Sequence, residues 1–73
     1  MLRCWTTNVR EQWTSNGFLE SNTSMRRRAL EEFNNQVKNP SVTIIPVSVI
    51  EEWHEDVLEL TVYYNTTQKK ENE

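Results

Sequence analysis

The chain has 73 residues, with 8 Lys and Arg against 11 Asp and Glu, a formal net charge of −3, one cysteine and one glycine. That length holds a single domain, and the lone Cys4 excludes an internal disulfide. The mildly acidic balance argues against the basic footprint of a nucleic-acid binder, and one glycine is too few for a glycine-rich phosphate loop.

Leu2 to Thr6 reads as a short strand, with Leu2 and Cys4 on one side and Arg3 and Trp5 on the other. Asn8 to Asn22 is irregular. Its Asn16-Gly17 pair favours a tight hairpin turn, so Gln12–Ser15 and Phe18–Glu20 form either a short hairpin or a plain loop. Met25 to Lys38 follows as a helix. At 100° per residue, Met25, Ala29, Leu30, Phe33 and Val37 share one face, and Glu31, Glu32, Asn35 and Lys38 lie away from it. Ser21, Thr23 or Ser24 caps its start, and Asn39-Pro40 ends it.

Val42 to Ile50 is a second strand, rich in Val and Ile. Its alternation slips at Ile44-Ile45-Pro46, and proline cannot donate to a ladder, so a bulge near Pro46 is expected. A connection Glu51–Asp56 then returns the chain as an antiparallel hairpin. Val57 to Tyr64 is the clearest element, because Leu58, Leu60, Val62 and Tyr64 alternate with Glu59, Thr61 and Tyr63. The tail, residues 68–73, has no apolar side chain and is expected to be disordered. The predicted fold is α+β: a small antiparallel sheet in β-α-β-β order, with a possible extra N-terminal hairpin, covered by one helix and occupying residues 1–67.

In outline, the stretch from Ala29-Leu30-Glu31-Glu32-Phe33 through Asn39-Pro40 to Leu58–Tyr64 resembles small βαββ proteins of Gram-positive bacteria and their phages. It is also similar to the dodecin layout, a helix against a three-stranded sheet that assembles into flavin-binding shells. Both are likenesses of pattern over the last two thirds of the chain. The tryptophan of a dodecin's ligand-stacking strand has no counterpart in Val42–Val49, so no functional residue is carried over.

Few features suggest chemistry. Arg26-Arg27-Arg28 reads either as an anion site at a helix start or as solvated charge inside a helix that begins nearer Ser21. Glu51–Asp56 packs four carboxylates with His54, the only histidine, but shows no established metal-ligand spacing. It reads as a solvated acidic connection, and neither a metal nor a cofactor is expected. Trp53, placed in that connection, and Trp5 are candidate interface anchors, while Trp13 is a candidate core residue. Cys4 with His54 is the sole nucleophile–base pairing available, and no motif surrounds it, so the chain is expected not to be an enzyme.

A core this small, without disulfide or metal support, points to oligomerisation. The lone cysteine and the absence of an apolar signal segment point to the cytoplasm, and no apolar run approaches the ~20 residues of a membrane helix. The expected role is therefore that of a small self-associating, partner-binding protein, of bacterial or phage origin. The candidate interface comprises Trp53, Trp5, Arg26, Arg27 and Arg28. The alternatives are an oligomeric binder of a flavin- or nucleotide-like ligand through tryptophan stacking, and nucleic-acid binding through Arg26–Arg28.

Overall fold

The computed structural model describes residues 1–68. Four elements follow one another: β1 Leu2–Arg10, α1 Asn22–Val37, β2 Val42–His54 and β3 Val57–Gln68. The strands form one antiparallel sheet in the order β1-β3-β2, and α1 packs on one side of it. The α+β class and the β-α-β-β order are those expected from the hydrophobic patterning.

β3 is central because its alternation is the strongest. Leu58, Leu60, Val62 and Tyr64 are buried, and the residues between them stay half-buried on the opposite face. The register brings Trp5, Thr7 and Val9 of β1 beside Val62, Leu60 and Leu58. Met25, Ala29 and Phe33 of α1 close over that surface, spaced every fourth residue so that they share one stripe. Phe33 sits edge-on between Trp5 and Tyr64, with ring centroids 5.4 and 5.3 Å away. Buried Thr7 is satisfied by donating its hydroxyl to Glu32 of the helix.

α1 starts three residues before Met25. Ser21 caps it, its hydroxyl oxygen accepting from the Ser24 amide at 3.2 Å. Arg26, Arg27 and Arg28 consequently lie within the helix, past its first turn. Leu30, expected on the inner stripe, is 40 % exposed. The stripe is narrow, because α1 rests mainly on β1 and β3, and Leu30 falls beside it.

Three strand boundaries also differ from the sequence expectation. β1 runs on to Arg10, since pairing with β3 supplies a partner for each added residue as far as Val57. β2 runs through the acidic stretch to His54, leaving only Glu55 and Asp56 in the turn. Glutamate is a poor strand former, but each residue there faces a β3 partner in register, Glu51 opposite Leu60 and Trp53 opposite Leu58. Pairing overrides propensity. Finally, Gln68 closes β3, whereas the expected tail began there; the rest of that tail, residues 69–73, lies outside the described residues.

The bulge expected near Pro46 is present as a register shift between Pro46 and Ser48, with Val47 the extra residue. It restores phase, so that Val42, Ile44, Pro46, Val49, Glu51 and Trp53 all lie on the helix side. At the Asn16-Gly17 segment, Trp13 bridges Leu19 alone, and the chain turns on Gly17 at φ +83°. The Gly17 amide donates to the Thr14 carbonyl at 3.0 Å, and the Thr14 amide to the Phe18 carbonyl at 2.7 Å. The result is a minimal hairpin.

A 16-residue helix is about 24 Å long, whereas the 13 residues of β2 extend about 43 Å. The sheet therefore outruns its cover. The radius of gyration, 14.9 Å, exceeds the roughly 11 Å of a compact chain of this length. No helix among the described residues is long and apolar enough to cross a membrane.

Candidate functional site

The face of the sheet turned away from α1 is built by the register in rows across the three strands. Three consecutive rows, each in the order β1, β3, β2, are Thr6–Thr61–Ile50, Cys4–Tyr63–Ser48 and Leu2–Asn65–Ile45. None of these residues is charged. Leu2, Ile45 and Ile50 are 57 %, 44 % and 50 % exposed, Cys4 is exposed, and the Tyr63 ring is half-buried. Thr6 and Thr61 join hydroxyl to hydroxyl at 3.0 Å, one of the cross-strand pairs that tie such a face together.

The next row toward the β2–β3 turn is different: Asn8, Glu59 and Glu52 stand side by side, with His54 two residues beyond Glu52 on the same face. His54 Nε2 lies 3.4 Å from Glu52 Oε1 and 3.7 Å from Glu59 Oε1. One donor atom from each of the three side chains falls within 4.8 Å of the other two. Arg10, at the end of β1, bonds Asp56 of the turn at 2.7 Å.

The residues singled out in the sequence are dispersed. Trp53 lies on the covered side, partly buried against the core, with the Arg26 guanidinium 5.5 Å above its ring. The expectation that it occupies a solvated connection is corrected. Strand alternation sends Trp53 inward and Glu52 and His54 outward, so an intramolecular site exists for the indole. Arg26 also donates to Glu51 at 2.7 Å.

Arg28 points elsewhere, gripping Glu20 with Nε at 2.7 Å and Nη2 at 2.6 Å and reaching the Arg10 carbonyl. Glu20 also accepts from the Ser24 hydroxyl, and its side chain is 5 % exposed. The Arg28 hydrogen bonds, outweighing the burial that opposes them, lower the Glu20 pKa from 4.5 to about 2. Arg27 alone of the three arginines is exposed.

Trp5 lines a groove of about 410 Å³ at the far end of the sheet, together with Arg3, Gln36, Asn39 and Tyr64. Trp13, expected in the core, is 72 % exposed, as is Phe18 beside it on the minimal hairpin. Two strands this short have no second layer to bury against. The sequence reading missed this aromatic tip, although Trp13 and Phe18 flanking Asn16-Gly17 was a legible signal. It also missed the convergence of Glu52, His54 and Glu59, which appears only once the hairpin register is known.

A scan against protein-family models matches none of them, and neither the curated proteins nor the solved structures match the chain.

Proposed function

We propose that this chain is a non-catalytic, self-associating protein whose open sheet face receives a second copy of itself. The observation that carries this reading is the charge-free block of three rows from Thr6–Thr61–Ile50 to Leu2–Asn65–Ile45, with its exposed leucine and isoleucines. A twofold interface brings a surface against its own copy. On a chain of net charge −3, a block without charge is the part of the face that does so without opposing like charges. Edge pairing through β2 is disfavoured, because Pro46 and the Val47 bulge interrupt that edge, a familiar guard against strand addition.

The experiment is light scattering across a concentration series for the natural chain and for Ile50→Lys. Ile50 is already half exposed, so the charge costs the subunit little but falls within the charge-free block. The expected result is a dimer that Ile50→Lys converts to monomer with an unchanged circular dichroism spectrum. A natural chain that stays monomeric at the highest concentration, or an assembly indifferent to Ile50→Lys, overturns the reading.

A second reading has its own support in the groove beside Trp5. Its Arg3 cation, its Gln36 and Asn39 amides and its two aromatic rings are the components of a site for a planar anionic ligand. Quenching of tryptophan fluorescence by such ligands, lost in Trp5→Leu, would favour it. Unquenched fluorescence removes it.

A further inference from the structure

We propose that Glu52, His54 and Glu59 form a three-ligand site for a borderline divalent transition-metal ion, with zinc as its representative. The three side chains come from two adjacent strands in fixed register. Glu52 stands directly opposite Glu59, and His54 follows on the same face. The site lies at the turn end of the hairpin, beyond the charge-free block, and does not depend on self-association.

Two observations point to a cation. The first is the spacing. His54 Nε2 sits 3.4 and 3.7 Å from the two carboxylate oxygens, longer than the roughly 2.7–3.2 Å of an N–H···O hydrogen bond. Zinc bonds to nitrogen and carboxylate oxygen are about 2.0–2.2 Å, which sets neighbouring ligands of a tetrahedron about 3.3–3.6 Å apart. Two edges of the triangle are therefore close to coordination distance already.

The second is charge. Like charges directly opposite one another across an antiparallel pair are destabilising, yet this face sets one glutamate against another. Arg10, the nearest guanidinium on this face, is committed to Asp56. A divalent cation between Glu52 and Glu59 removes the repulsion. The imidazole selects among cations: mixed nitrogen and oxygen donors suit zinc and its neighbours, whereas magnesium and calcium take oxygen alone. Three protein ligands leave a fourth position open to solvent, the arrangement of zinc sites that keep an exchangeable ligand.

The test uses the full chain, with zinc chloride as the titrant and the His54 imidazole proton resonances as the reporter. Because His54 is the only histidine, those signals read the site directly. The expected result is one zinc per chain, imidazole resonances that move or broaden on zinc addition, and no such change with magnesium. His54→Ala and Glu59→Gln should each weaken zinc binding at least tenfold, with circular dichroism confirming that both variants fold. Cys4→Ser should bind as the natural chain does. Imidazole resonances unmoved by millimolar zinc overturn the proposal. So does zinc binding that survives His54→Ala undiminished, or that disappears in Cys4→Ser, since either places the ion elsewhere.

Discussion

Replacing Arg28 by methionine should reveal how much of this small fold hangs on one ion pair. Glu20 is buried at the start of the helix, where its carboxylate accepts two hydrogen bonds from Arg28 and one from Ser24. Arg28→Met keeps the aliphatic stem and removes the two guanidinium bonds to Glu20 together with the one to the Arg10 carbonyl. Hydrogen bonds to a charged group are worth about 1.5–3 kcal/mol, and stripping one partner from a buried pair costs about 3–5 kcal/mol. The Arg28 side chain is 34 % exposed, so water partly replaces it, and the expected loss is about 2–3 kcal/mol. A domain of this size holds roughly 4–11 kcal/mol in all.

Urea denaturation near neutrality measures that loss, and pH identifies its origin. The folded-state pKa of Glu20, about 2, lies below the ordinary 4.5. The natural chain therefore has the full benefit of the pair above pH about 4.5 and loses it as the pH falls toward 2. The gap between the two proteins should narrow through that window. A loss below about 0.5 kcal/mol near neutrality, or a gap unchanged across the acid range, would refute the reasoning.

Two further substitutions test the sheet. Leu60 is fully buried in the central strand, and Leu60→Ala should cost about 2–5 kcal/mol by urea denaturation; near-native stability would mean that the site collapses around the smaller side chain. Glu55 holds φ +53° at the first position of the two-residue turn, where a side chain is strained by about 1–2 kcal/mol. Glu55→Gly should therefore raise the thermal midpoint, the relief exceeding the added freedom of the unfolded chain, and a lowered midpoint would show that the turn is not strained.

Much of this architecture was legible before any coordinates, because it rests on side-chain periodicity. The alternation of Leu58, Leu60, Val62 and Tyr64 and the fourth-residue spacing of Met25, Ala29 and Phe33 each specify a buried stripe whatever covers it. Pro46 marked its bulge because a missing amide proton disturbs a ladder locally. Tertiary structure decided what depends on register and on the finite length of the helix. Glu51 to His54 became strand because β3 offered partners, although their own propensities oppose it, and that single extension turned Trp53 inward and gathered Glu52, His54 and Glu59. The three arginines, contiguous in sequence, were separated because successive helix positions diverge by 100°: Arg26 faces Glu51 and Trp53, and Arg28 faces Glu20. The charge-free face stayed open for the simplest reason: α1 lies on the other side of the sheet, and the described residues hold no second helix to cover this one.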